Sequence, residues 1–307
     1  MVLLDTIRDY AQIVAAAATY FYARIFSRTM NPALTDIEPS TQLSETVWRI
    51  LGANPSPFTL QGTNTYLVGS GPSRILIDTG EKNKPAYISE LRDVLKDNKI
   101  SAIICTHWHD DHVGGIKDVK DKISGNDIPV YKFKNPNGRE DDSVYKYIED
   151  GAIIKVPGTT LRVIASPGHT MDHISLYFEE EGSLFCGDCI LGEGTTIFED
   201  LYTYMQSLQR LLDTKPSRIY SGHGPVIENG IEKINEYITH RNRREEQILS
   251  ALSGDKTLSA MEITNVVYPT LSWSMKLGAL NNVNQHLTKL IKEKKVIKTG
   301  RGYQIIN

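Results

Sequence analysis

Only three cysteines occur in 307 residues, too few and too odd in number for a disulfide framework, which points to a reducing interior compartment. Cys186 and Cys189 form a single C-x-x-C, and no second such pair completes a structural zinc site, so both are expected as buried thiols at a strand end. Long apolar runs are also lacking. Residues 10–26 form the most apolar N-terminal stretch, but Gln12 and Arg24 interrupt it short of the roughly 18 to 20 apolar residues a spanning helix needs, so no membrane span is expected. Internal repeats and low-complexity tracts are absent. So is any large excess of one charge: the net charge is −3, which excludes a uniformly basic, nucleic-acid-coating surface.

The charge is nevertheless unevenly spread. Residues 241–307 carry 11 Lys/Arg against 5 Asp/Glu, net +6, leaving residues 1–240 with 23 against 32, net −9. Three regions follow: an N-terminal arm over residues 1–45, a main domain over 46–240 and a C-terminal module over 241–307. Within the arm, Arg8, Arg24 and Arg28 lie among Ala, Tyr and Thr, which suits a targeting peptide over residues 1–29 despite Asp5 and Asp9. The localisation expected is the mitochondrial matrix, with a shorter cytosolic form starting at Met30.

From Thr46 onward, short apolar runs bounded by Gly, Pro and Asn read as strands: Val47 to Leu51, Thr65 to Val68, Ile75 to Ile77, Ala102 to Cys105, Leu161 to Ala165, Ile174 to Phe178, Leu184 to Cys186 and Arg218 to Tyr220. Helical periodicity is expected over residues 85–97, 113–122, 201–212 and 231–249. Sheets covered by helices make an α/β fold. In the C-terminal module, helices at Leu258 to Val267 and Leu280 to Ile291 precede a hairpin at Lys295 to Ile306, a winged-helix-like pattern.

The chemistry concentrates in Thr106-His107-Trp108-His109-Asp110-Asp111-His112, directly after an apolar strand. Imidazole and carboxylate are ligands that Zn²⁺ accepts, and residues two apart in an extended turn project to one side, so His107 and His109 can grip one ion while Asp111 and His112 face another. Three more strand ends deliver single ligand candidates behind a glycine: His169 after Ser166-Pro167-Gly168, Asp188 after Cys186-Gly187, and His223 after Ser221-Gly222. Four strand ends converging from distant sequence argue for one site.

The set H-x-H-x-D-H, with Pro167-Gly168-His169-Thr170, Gly187-Asp188 and Gly222-His223-Gly224-Pro225, resembles the metallo-β-lactamase superfamily over about residues 46–240. The resemblance implies an αββα sandwich carrying two Zn²⁺ ions. It places His107, His109 and His169 on one, Asp111, His112 and His223 on the other, and Asp188 between them. Histidine rather than glutamate at position 109 is similar to the hydrolytic members, not the oxygen-reducing diiron ones. Two ions about 3.5 to 4 Å apart hold a hydroxide at neutral pH and polarise the attacked group, so hydrolysis needs no protein nucleophile. Asp111 is also a candidate for orienting the attacking oxygen. His173 is a candidate for protonating the leaving group, or else a buried imidazole supporting the ligands. Asp78, in Ile77-Asp78-Thr79-Gly80, is expected to fix a ligating histidine.

The superfamily does not choose the substrate. No stretch resembles a secretory signal, so antibiotic hydrolysis is not expected. Gly62-Thr63-Asn64-Thr65-Tyr66, the run Gly187 to Thr196, Phe198 to Tyr202 and His240-Arg241-Asn242 resemble the β-lactamase-like protein 2 group, which implies an endoribonuclease acting on single-stranded RNA. Lys289, Lys292, Lys294, Lys295, Lys298 and Arg301, with Arg241, Arg243 and Arg244, are candidates to meet phosphates. The alternative is a small-molecule thioester or ester hydrolase resembling glyoxalase II, its C-terminal module serving as a lid or protein-interaction element.

Overall fold

The computed structural model describes residues 34–136, 138 and 141–306. The expected targeting segment and the apolar stretch at 10–26 lie outside them. Among the described residues no helix is long and apolar enough to cross a membrane.

Two compact units divide at Ile238 and Thr239. Residues 34–238 build two sheets. The first runs in sequence order through β1 (Ser40–Gln42), β2 (Val47–Leu51), β3 (Asn64–Val68), β4 (Ser73–Ile77), β5 (Lys99–Ile104), β6 (Val130–Lys132) and β7 (Lys146–Tyr147). Its first four strands form an antiparallel meander, and β4 through β7 pair in parallel. Parallel pairing needs a crossover, which α1 (Pro85–Leu95) supplies between β4 and β5. The second sheet has the order β12-β11-β10-β9-β8, from β8 (Ile153–Val156), β9 (Thr159–Ala165), β10 (Ile174–Phe178), β11 (Ser183–Gly187) and β12 (Arg218–Ser221).

Side-chain alternation explains the layering. In β3 and β4, Tyr66, Val68, Ile75 and Ile77 point between the sheets, where they meet Leu161, Val163, Leu176, Phe178, Phe185 and Tyr220. Leu67 and Leu76 point outward against Tyr87, Leu91 and Leu95 of α1. On the other side, Ile164, Leu184, Cys186 and Ile219 pack under α4 (Leu201–Asp213) through Leu201, Tyr204, Leu208 and Leu211. The result is the expected αββα sandwich. Strands buried on both faces lose the polar alternation, which is why they read as continuous apolar runs.

The structure corrects several expectations. Residues 34–45 are not all arm, because β1 pairs with β2 as the sheet's edge strand. The helix expected over 113–122 is instead two single turns, α2 (Asp110–Val113) and α3 (Ile116–Val119), followed by a wider turn at Lys120–Ser124. Gly114 and Gly115 fall between the turns, where added Cβ atoms would strike the Asp110 and Thr79 carbonyls at 2.4 and 2.1 Å. Strands β1, β6, β7 and β8 are too short or too polar to have been read.

Residues 239–306 are built from most of α5 (Gly230–Ala251), then α6 (Ala260–Val267), α7 (Trp273–Lys292) and the hairpin β13 (Val296–Thr299) and β14 (Gly302–Ile305). Ile248, Leu252, Ile263, Val283, Leu287, Leu290 and Val296 form their own core. Ser259 and Glu262 close a reciprocal cap at the start of α6. The helix α7 begins at Trp273, two turns before the expected Leu280, and in those added turns Trp273 and Leu277 are exposed.

Candidate metal centre

Every ligand candidate named from sequence sits at the end of a strand or in the turn that follows it. His107, His109, Asp111 and His112 follow β5, His169 follows β9, Asp188 follows β11 and His223 follows β12. The loops are fastened to one another. Gly222 donates its N–H to the Gly187 carbonyl at 2.7 Å, and Gly192 donates to the His223 carbonyl at 2.9 Å. The Asn64 amide donates to the carbonyls of Ser221 and Gly224 at 2.9 and 2.8 Å. At Gly187 the backbone has φ +46°, and a Cβ there would lie 2.8 Å from His173 Nε2, so only glycine turns β11 toward the site without a clash.

The side chains fall into two groups able to bind metal: His107, His109, His169 and Asp188, and Asp111, His112 and His223. In the first, His109 Nδ1 lies 2.8 Å from His107 Nε2 and 3.2 Å from His169 Nε2. In the second, Asp111 Oδ2 lies 3.2 Å from His112 Nε2 and 3.3 Å from His223 Nε2. Asp188 stands between them. Its Oδ2 is 3.2 Å from His223 Nε2 and 3.7 Å from His169 Nε2, and its Oδ1 is 3.3 Å from His112 Nε2.

The outward ring nitrogens of His112 and His169 are occupied, which fixes which nitrogen of each faces inward. His112 Nδ1 is 2.8 Å from Asp78 Oδ2, as expected for that carboxylate. Asp78 also accepts from the Thr106 backbone at 2.8 Å and its hydroxyl at 2.9 Å. His169 Nδ1–H donates to the Ile197 carbonyl at 2.7 Å. Thr63, which was not assigned a role from sequence, donates its hydroxyl to Asp111 Oδ2 at 2.9 Å.

Burial, reinforced by neighbouring imidazoles, pushes His107 well below the usual imidazole range and His109 down to about 3. Burial lowers His169 as well. Burial also opposes charge on His112 and His223, but Asp111, Asp188 and Asp78 outweigh it at His112, and Asp188 with Asp111 lifts His223 to about 10. Both carboxylates are held below their ordinary range, since His112 and His223 overcome the burial that would raise them. Neutral nitrogens therefore converge on one side, while Asp111 and the intervening Asp188 meet the protonated His112 and His223 on the other. Buried His112 Nε2 and Asp188 Oδ1 lack well-directed hydrogen bonds. A set of imidazole and carboxylate donors in this state fits divalent cations, which take the place of those protons.

His173 does not fit the role of leaving-group acid. It is fully buried, its Nε2 accepts the Asp188 backbone N–H at 3.2 Å, and its Nδ1 is 2.9 Å from the Ser166 hydroxyl. Burial and the adjacent His169 hold it neutral, far below the imidazole range. Its geometry is that of a prop for the Asp188 turn. Sequence reading also missed the fully buried pair of Lys132 and Asp172, which anchors the loop carrying His169. A lysine closing the buried alternation of β6 was the available signal. Cys105, Cys186 and Cys189 are free, buried thiols.

The cationic surface of the C-terminal unit is smaller than expected. Lys289 is buried and pairs with Glu245 and Glu293, Arg241 is buried, and Lys295 pairs with Glu245 at 2.9 Å and Glu293 at 2.8 Å. The Arg244 guanidinium lies 4.1 Å from the Tyr268 ring centre. Arg243, Lys292, Lys294, Lys298 and Arg301 are exposed.

Residues 58–223 match the profile of the metallo-beta-lactamase superfamily, and residues 259–304 match that of the beta-lactamase associated winged helix domain. A beta-lactamase-like protein 2 homolog of Caenorhabditis elegans is 52% identical over 267 residues, covering 85% of this chain and 90% of that protein. A protein of Aspergillus chevalieri named atrochrysone carboxyl ACP thioesterase is 38% identical over 275 residues, covering 86% of each. Among solved structures, a metallo-beta-lactamase family protein of Thermus thermophilus superposes with a TM-score of 0.67 at 22% identity, over 86% of this chain and all of that one, a likeness of fold.

Proposed function

For a chain that belongs to the metallo-β-lactamase superfamily and carries its associated winged helix domain, we propose that the hydrolytic site binds two zinc ions and cleaves single-stranded RNA as an endoribonuclease. His107, His109 and His169 would hold one ion and Asp111, His112 and His223 the other, with Asp188 placed between the two groups. Divalent cations there supply the positive charge that ionises a water molecule and neutralises the scissile group. The protein's part is positional. Asp78 and the Ile197 carbonyl lock the tautomers of His112 and His169, Thr63 steadies Asp111, and His173 holds the Asp188 turn. Asp111 also accepts from the attacking oxygen.

The observation that carries RNA over other substrates is the charge division. An acidic body would repel a polyanion except at the cations, whereas the C-terminal unit offers exposed Lys294, Lys298 and Arg301 for phosphates. A specific observation favours a second reading, hydrolysis of an acyl thioester: the Aspergillus chevalieri thioesterase aligns along most of this chain. Zinc-loaded enzyme assayed on labelled single-stranded RNA and on acyl thioesters separates the two, with Asp188→Ala as the control for contaminating nuclease. RNA cleavage that slows as salt rises supports the first; turnover of thioesters alone supports the second and ends the RNA reading. We further propose mitochondrial localisation from residues 1–29, which imaging of the tagged full-length chain tests; a wholly cytosolic signal would refute it.

A further inference from the structure

Trp108 lies between two metal-ligand candidates yet faces solvent, with 42% of its surface exposed, while His107 beside it is fully buried. The loop around it is pinned. The Thr106 N–H donates to Asp78 at 2.8 Å, and the His109 carbonyl accepts from His112 and Val113 at 2.9 and 3.1 Å as α2 begins. The indole stands edge-on to the His109 imidazole, with ring centres 4.6 Å apart and planes at 69°. The His109 ring in turn meets that of His169 at 4.9 Å, and Ile197, whose carbonyl holds His169, is 39% exposed. Two large apolar side chains are therefore left in water beside the same pair of donors, where burial elsewhere in the chain would otherwise have stabilised them.

We propose that Trp108 is a substrate-binding residue whose indole stacks on the nucleobase next to the cleaved phosphodiester, with Ile197 flanking it; this rests on the endoribonuclease reading. A planar indole beside the donors is what an acidic body needs to hold a polyanion, because stacking is independent of charge and tolerates every base. The donors take the phosphate, and the ring takes the base.

The test uses the full-length, zinc-loaded protein with Trp108→Phe and with Trp108→Leu, which keeps an apolar side chain but removes the aromatic plane. Binding of a labelled RNA oligonucleotide is read by stopped-flow fluorescence anisotropy before turnover, and cleavage of the same RNA by steady-state kinetics. Trp108→Leu is expected to weaken binding and raise KM by about 5- to 100-fold, with Trp108→Phe retaining most of the affinity. Its kcat should stay within about threefold, since the interaction is made equally before and during the reaction. An abasic nucleotide beside the cleaved bond should cost the unmodified enzyme the same factor and cost Trp108→Leu nothing further. RNA cleavage with an unchanged KM in Trp108→Leu, or with an equal abasic penalty in both proteins, overturns this inference and leaves the endoribonuclease reading standing. An unmodified enzyme that cleaves no RNA overturns both.

Discussion

The ion pair of Lys132 and Asp172 permits a quantitative test of what holds the metal-site loop in place. Both side chains are fully enclosed. The ammonium also donates to the Phe133 carbonyl at 3.2 Å, and the free carboxylate oxygen accepts from the Thr170 hydroxyl at 2.7 Å. Asp172→Asn keeps the shape and removes the charge, leaving a buried ammonium uncompensated, which costs about 3 to 5 kcal/mol. At a urea slope near 3 kcal/mol/M, that moves the unfolding midpoint down by about 1 to 2 M. Removing both charges together, as Lys132→Met with Asp172→Leu, should recover most of the loss, because the large cost lies in the orphaned charge. Urea unfolding of Lys132→Met, Asp172→Leu, their combination and the parent closes the cycle. Zinc retention gives an independent reading, since Asp172 lies three residues beyond His169. A midpoint within about 0.3 M of the parent for Asp172→Asn, or a double variant no more stable than that single change, would refute the reasoning.

Two further outcomes are expected. A Cβ at Gly222 would lie 2.2 Å from Asp188 Oδ1, so Gly222→Ala should displace that carboxylate and sharply lower zinc content at near-parental secondary structure by circular dichroism; full zinc occupancy would contradict it. In the C-terminal unit, burial, aggravated by Arg241, Lys289, Arg244 and His240, holds His286 down to about 3, and neither ring nitrogen has a hydrogen-bond partner among the described residues. Below the ordinary value of 6.5 the unfolded chain takes a proton the native one refuses, so stability is full above that pH and falls toward pH 3 by up to about 1.4 kcal/mol per unit. His286→Leu should flatten that slope in urea midpoints measured between pH 7 and 4.5, and parallel curves for the two proteins would count against it.

The donors could be named in sequence because metal chemistry restricts them to few residue types and the strand-then-glycine pattern repeats before three of them. The central strands were legible for a related reason, since burial on both faces leaves long apolar runs. Edge strands such as β1 and β7 have only one partner and little burial, so their residues carry no such mark. His173 illustrates the boundary between the two kinds of information. Its position four residues after His169 allowed either an acid or a prop, and only the enclosing fold, which commits both of its ring nitrogens to Ser166 and Asp188, selects the prop.

The same boundary runs through the charges. Composition alone divided the chain into an acidic body and a basic end, but pairing is a matter of distance, and Lys289 and Lys295 meet Glu245 across separate elements. Local order along the chain determined which side chains could serve as donors and which segments would become the central strands. Tertiary structure alone decided which nitrogens of His112 and His169 face inward, which lysines are neutralised and which tryptophans stay in water, because each depends on contacts between residues far apart in sequence.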